Sequence, residues 1–277
     1  MKLGVVFFTN ERTWDLANFS VPYFVENSSD LNLEINILSN KFPPTIEKIP
    51  GVNYVDARVE YDPQGRHFAR TMLHFLTNCS YDYIFFFSDD FLVQSPIKTK
   101  IFNKLINNIQ EYSIDKLHLS TLNHLTSYIP NWEQINISDY KLILLDKNYK
   151  HSLSTQPSIW KVASLINILN NNLDANLWDL DNGRIKDRFG NLRQLQEDNE
   201  FYEDSLYVHY DFKCYGVHKP PLTYHVDERT INSDYFVLDY FEFIRHGKLL
   251  ESNVNSKKLI LEIIEQKSLQ NKFKKYI

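Results

Sequence analysis

Tyr83-Ile84-Phe85-Phe86-Phe87-Ser88-Asp89-Asp90 is the stretch whose reading decides the fold. An uninterrupted apolar run of this length, closed by polar residues, suits a strand covered on both faces, as in parallel sheets flanked by helices. Similar β-branched and aromatic runs stand at 3–9, 33–38, 52–57 and 117–121. Helical patterns separate them at 14–27, 66–78 and 97–112, the last after Pro96, whose fixed φ suits a helix start. The alternation predicts an α/β fold of Rossmann type, a mainly parallel sheet built from crossover units and flanked by helices.

Beyond residue 140 the texture changes. Runs at 141–145 and 152–156 precede a predicted helix over 160–171 and a polar stretch over 174–204. Tyr-rich segments at 207–215 and 235–244 read as strands, or as a strand and a helix. A last helix is expected from 256 to 277, with six Lys against two Glu. No linker rich in Pro, Gly or Ser divides the chain. One domain is therefore expected over 1–277, with a first half at 1–125, an elaborated second half at 126–255 and the basic helix at 256–277.

Composition narrows the function. With 277 residues, 43% hydrophobic and 23% charged, the chain can bury a core without disulfides or metal. Cys79 and Cys214 match no metal spacing and read as reduced core thiols. A net charge of −5 provides no global basic field for nucleic acid. Only 7 residues are Gly, which argues against a glycine-rich phosphate cradle. The first apolar run ends at Thr9-Asn10-Glu11-Arg12 without a cleavage signal and reads as a strand. No window reaches the ~18–20 apolar residues that span a bilayer. A cytoplasmic protein is expected, peripheral at most, its basic final helix either meeting an anionic membrane or packing one face on the domain.

Asp89 and Asp90 fall where the buried strand ends, and in open α/β sheets ligands bind beyond the carboxyl ends of strands. Adjacent carboxylates repel, and a cation relieves them; hard oxygen ligands suit Mg²⁺ or Mn²⁺. The alternative is that the pair starts a turn or caps a helix. Gly65-Arg66-His67-Phe68-Ala69-Arg70 places Arg66 and Arg70 one helical turn apart near a helix N-terminus, where anions are favoured. Two guanidinium groups beside a dicarboxylate make a diphosphate site; otherwise they are solvated or pair with Glu60 and Asp62.

The pattern Gly-Arg-x-x-x-Arg, a helix, and then Tyr-Asp-Tyr-Ile-Phe-Phe-Phe-Ser-Asp-Asp resembles the sugar-nucleotide half of glycosyltransferases with the GT-A fold, over residues 1–125. Those enzymes carry Asp-x-Asp or x-Asp-Asp at a strand end; here Ser88 stands where many relatives have the first Asp. The resemblance implies that Asp90 coordinates the metal and that Asp89 shares it or lies near the ribose. It also implies that Thr9, Asn10, Glu11 and Arg12, with Asp56, face the nucleobase and ribose.

In the second half, Gln156-Pro157-Ser158-Ile159-Trp160 followed by Trp178-Asp179-Leu180-Asp181 resembles the Gln-Pro-x-x-Trp and Trp-x-x-Glu pattern of bacterial and viral members of that superfamily. Asp181 stands where Glu is more usual. The resemblance implies that Asp181, or second Asp179, deprotonates the acceptor hydroxyl. Otherwise Trp178 is a core aromatic and Asp181-Asn182-Gly183 a turn. Trp132, Trp160 and Trp178 are candidates for stacking on sugars or for the core. His225 is a candidate late metal or phosphate contact; His151 and His246 have no better claim. Residues 182–204 read as a lid over the site or as a solvated loop.

The combined expectation is a metal-dependent, inverting glycosyltransferase using a nucleotide diphosphate sugar and a saccharide acceptor, lipid-linked if the final helix meets a membrane. The alternatives are a sugar-phosphate nucleotidyltransferase, which typically carries a Gly-rich first loop absent here, and a non-catalytic saccharide-binding module.

Overall fold

The computed structural model describes residues 1–119 apart from 45, 94 and 95, and residues 132–218 apart from 138, 139, 188, 195, 197–200, 204–209 and 211. It also describes the backbone of 240–242, 244–245 and 248–249. The chain begins with β1 (Leu3–Thr9), α1 (Trp14–Asn27), β2 (Glu34–Ser39), β3 (Val52–Asp56), α2 (His67–Asn78) and β4 (Tyr83–Ser88). These agree with the predicted elements to within a residue at each end. They are followed by β5 (Phe91–Val93), α3 (Thr99–Glu111) and β6 (Lys116–His118).

The second half contains β7 (Gln134–Ile137), β8 (Tyr140–Leu144), a 3₁₀ turn at Lys150–Leu153, β9 (Ser158–Lys161), α4 (Val162–Asn170) and α5 (Leu177–Asp181). β10 (Cys214–His218), β11 (Tyr240–Glu242), β12 (Ile244–Arg245) and β13 (Lys248–Leu249) complete the described chain.

One sheet carries the order β3-β2-β1-β4-β9-β6-β10-β8-β7. β3, β2, β1 and β4 are mutually parallel, and β6 and β10 are also parallel. β9 runs against both of its neighbours, β4 and β6, and β8 against β10 and β7. The fold is α/β and mainly parallel in strand direction, as the sequence predicts. Two departures matter. Trp160 was expected to open a helix, yet it lies in β9, and the helix begins at Val162. The four residues of β9 gain a partner on each side, which outweighs local helical preference. β5, unforeseen, pairs antiparallel with β11, some 150 residues on by number.

Phe85-Phe86-Phe87 is apolar on both faces because the sheet is covered on both. Phe87 stacks on Phe7, with ring centroids 4.8 Å apart, and meets Phe24 of α1 edge-on at 5.1 Å. Phe86 points the other way, to Phe68 of α2. Each such aromatic pair adds about 0.5–1.5 kcal/mol beyond area burial. Pro22 lies inside α1 and forfeits one helical hydrogen bond, but the buried Leu16, Phe19, Val21 and Phe24 hold the helix on the core. Gly4 is required by packing: a Cβ there would meet the Tyr81 ring at 2.5 Å.

Candidate functional site

The parallel run places the carboxyl ends of β1, β2, β3 and β4 along one edge, where the loops that follow them meet. After β1, the Asn10 carbonyl accepts from Thr13 and Trp14 N–H at 3.1 and 2.9 Å and so starts α1. The Asn10 side chain accepts from Arg12 N–H at 2.9 Å. Glu11 is held by Asn40, just past β2: its N–H donates to Asn40 Oδ1 at 2.9 Å, and Asn40 Nδ2 donates back to the Glu11 carboxylate at 3.4 Å. Asn40 Nδ2 also donates to the Val59 carbonyl at 3.1 Å. One buried amide thus joins three loops.

The Arg12 guanidinium lies 4.2 Å from the centre of the Tyr61 ring. Asp56, at the end of β3, accepts from Arg58 N–H at 3.0 Å, and Arg58 sits in the left-handed region at φ 54°. A non-Gly residue held there is strained, a condition that clusters at binding sites. Glu11, Arg12, Lys41, Asp56, Arg58 and Tyr61 line a cleft of about 750 Å³, within the size range of small-ligand sites. The predicted residues Glu11, Arg12 and Asp56 are therefore brought together. Asn40, Lys41, Arg58 and Tyr61 were missed; their signal was position alone, just after β2 and β3.

At the end of β4, Asp89 N–H donates to the Phe8 carbonyl at 3.1 Å, and Thr9 Oγ1 donates to Asp89 Oδ2 at 2.6 Å. Thr13 Oγ1 lies 3.3 Å from Thr9 Oγ1. Ser88 Oγ donates to Asp90 Oδ1, so the serine in place of a first aspartate orients the second. Burial, and then repulsion from Asp90, pushes the Asp89 carboxyl up to about 7 against the pull of the two threonine hydroxyls. Among the described residues no group of three or more His, Cys, Asp and Glu comes together to hold a metal; the acidic pair is the local cluster.

The arginines separate. Arg66 is exposed at the N-cap of α2. Arg70 pairs with Asp174 at 2.7 Å, both side chains more than half exposed, so it faces the second half rather than closing on Asp89 and Asp90. One helical turn along α2 carries Arg70 alongside the segment before α5.

α5 stands against the start of α2: Asn176 Nδ2 donates to the Gln64 carbonyl at 2.9 Å. Asp179 and Asn176 form a reciprocal capping box, with N–H to side-chain oxygen distances of 2.8 and 3.1 Å. Asp179 thus spends one carboxylate oxygen on the helix cap. Asp181 Oδ1 accepts from the Thr155 N–H and from Thr155 Oγ1, the latter at 2.7 Å, while the Asp181 carbonyl lies 2.5 Å from His151 Nδ1. Gly183, at φ 62°, ends the helix where a Cβ would strike the Lys150 carbonyl at 2.5 Å. β9 begins at Ser158, so the Thr155 segment and Asp181 lie at the same sheet end as Asp89.

The tryptophans divide by burial. Trp160 is 1% exposed, against Phe212, with its N–H on Ser158 Oγ at 2.9 Å. It is a core residue and not a sugar platform. Trp132 packs near Tyr149. Trp178 is 56% exposed, with the Arg184 guanidinium 5.2 Å from its ring centre. The described part of 182–204 is anchored: Tyr202 Oη donates to the Asn182 carbonyl at 2.5 Å, and its N–H to the Asn148 carbonyl at 2.7 Å. His225, His246 and the helix expected over 256–277 lie outside the described residues. Among the described residues no helix is long and apolar enough to cross a membrane.

No family model matches the chain, and no curated protein matches it. Solved structures with similar regions include residues 1–349 of TarS from S. aureus, at 12% identity and a TM-score of 0.36 over 60% of this chain and 48% of that one. The bifunctional IspDF of Campylobacter jejuni aligns at 12% identity and a TM-score of 0.36, over 63% and 45%. The bifunctional glycosyltransferase WbbM aligns at 11% identity and 0.34, over 61% and 34%. The alignment spans less than half the length of each of these structures.

Proposed function

We propose that the chain is a glycosyltransferase that moves a sugar, with inversion, from a nucleotide diphosphate donor to a saccharide hydroxyl. The observation that carries this reading is the assembly at one sheet edge of the Glu11–Arg12–Asp56–Arg58 cleft beside the Thr9-tethered Asp89–Asp90 pair. The cleft offers carboxylates for ribose hydroxyls, the Arg12–Tyr61 stack for a planar base, and Lys41 and Arg58 for phosphate oxygens.

The acidic pair fits Mn²⁺ or Mg²⁺. Its donors are all oxygen, and such ions bind through one or two carboxylates, completing their shell with water and phosphate oxygens. Burial first, and then repulsion from Asp90, raises the Asp89 carboxyl, and a bound cation would offset both. Asp90 and Asp89 would hold the ion, which when bound supplies positive charge to the departing diphosphate.

Asp181 is the base. Thr155 holds one carboxylate oxygen from two directions and so leaves the other to take the acceptor proton. Trp178, exposed one helical turn away, presents a flat apolar face to the acceptor ring. Calorimetry with a panel of nucleotide diphosphate sugars, with and without Mn²⁺, followed by product analysis, tests the reading. Cation-dependent binding of one donor and its turnover are expected; saccharide binding with no donor binding returns the non-catalytic module.

A further inference from the structure

Beneath the acceptor side lies a titratable side chain that this chemistry does not use. Lys116, in β6, is fully buried. It sits opposite Trp160 of β9 and Cys214 of β10. Nζ lies 2.6 Å from the Ser154 carbonyl, 3.0 Å from the Ser152 carbonyl, 2.7 Å from His118 Nε2 and 4.5 Å from the Trp160 ring centre. Among the described residues it makes no ion pair. An amine buried without a counter-ion costs stability that an apolar residue of similar volume would not.

What Lys116 holds is the seat of Asp181. Ser152 and Ser154 belong to the turn leading to Thr155, whose N–H and hydroxyl both grip Asp181 Oδ1. His151, in the same turn, meets the Asp181 carbonyl. The contacts run without a gap from Lys116 Nζ through the 152–155 backbone to the carboxylate.

We propose that Lys116 is the positioning residue for Asp181, bracing the Ser152 and Ser154 carbonyls so that Thr155 fixes one carboxylate oxygen and leaves the other for the acceptor. The proposal rests on the reading of Asp181 as base. The brace does not depend on charge. Burial pushes the Lys116 amine down to about 7 and His118 well below its usual value. A neutral amine still has two protons for the two carbonyls, and its lone pair accepts from His118 Nε2–H. This tautomer leaves His118 Nδ1, buried and unpartnered among the described residues, without a proton to satisfy. The titratable groups facing Lys116 are His118 on its own strand, Cys214 on β10 and Asp181 on α5, with His151 in the turn acting on His118.

Hydrogen exchange of the full chain, wild type against Lys116→Met, tests the brace. Amides of 151–155 and of α5 should exchange about ten-fold faster, the equivalent of one net hydrogen bond, with β1–β4 unchanged. In turnover, kcat should fall while the donor KM holds, and Lys116→Met should add nothing in an Asp181→Asn background. In the wild-type protein, which needs no variant to fold, the Lys116 Nζ protons should exchange slowly with water by ¹⁵N NMR. Rapid Nζ exchange, or unchanged protection of 151–155 in folded Lys116→Met, overturns the proposal. Loosening of 151–155 in a chain with no transfer activity would instead sink the base role of Asp181, which separates the two failures.

Discussion

Thr9 Oγ1 donates a 2.6 Å hydrogen bond to Asp89 Oδ2 and so ties the end of β1 to the end of β4. The bond spans 80 residues of sequence and sets the first carboxylate of the acidic pair against the loop that carries Glu11 and Arg12. Thr9→Val keeps the β-branched shape and removes the hydroxyl, losing the bond to Asp89 and the 3.3 Å contact with Thr13. Unfolding in urea should show a loss of about 1–3 kcal/mol, the cost of leaving a polar group without its partner. Divalent-cation affinity, read by calorimetry, should fall with it.

Asp89 also sets a pH dependence. Its carboxyl is raised in the folded protein, so between the ordinary carboxylate range and about 7 the folded state holds a proton that the unfolded state has released. The stability it contributes is complete below the unfolded value and is lost as pH rises through the folded one. Buried His67 and His118 are lowered and act in the opposite direction, so the readout is the difference between wild type and Asp89→Asn. That difference should grow from pH 4 to 8 in favour of the Asn variant, and millimolar Mn²⁺ should shrink it. A pH-independent difference would contradict the raised Asp89 carboxyl.

Cations in the cleft and on the rim should behave differently. Arg58→Ala should weaken nucleotide diphosphate binding about ten-fold, as loss of a charge-assisted contact does, and Arg12→Ala should weaken it comparably by removing the stack beneath the base. Arg70→Ala breaks only an exposed pair with Asp174, worth under about 1 kcal/mol, and should leave donor affinity within about two-fold. Equal losses at Arg70 and Arg12 would return Arg70 to the phosphates.

The two acids of α5 are separable. Asp181→Asn keeps an oxygen for Thr155 and should retain the fold and donor binding while lowering kcat by about 10²–10⁴. Asp179→Ala removes half of a capping box and should cost about 1 kcal/mol in thermal unfolding, with a much smaller kinetic effect. Reversal of that order would make Asp179 the base.

Burial makes the tryptophans a control for one another. Trp160→Ala should cost about 3–5 kcal/mol as a core deletion. Trp178→Ala should leave the melting temperature nearly unchanged and raise the acceptor KM. A cost at Trp178 as large as at Trp160 would mark it as structural.

In the first half, nearly every element was legible because its signals are local: apolar runs closed by polar residues, and helix patterns between them. Asp89 and Asp90 could be picked out because they close a buried strand, while Glu11, Arg12 and Asp56 were named through the family resemblance. β5 and β9 were not legible. Each is a few residues long and becomes a strand only through partners distant in sequence, β11 for one and the β4 and β6 pair for the other.

By itself, then, the sequence determined the parallel half-sheet and the edge where the loops after its strands gather, since alternation and apolar runs are properties of neighbouring residues. Tertiary structure alone decided which predicted side chains remain available. Arg70 reaches Asp174, Asp179 caps a helix and Trp160 enters the core, while Asn40 joins the Glu11 loop, Arg58 turns back on Asp56 and Lys116 meets the Ser152–Ser154 turn. Those outcomes depend on contacts between segments far apart along the chain, and residue type does not encode who the neighbour will be.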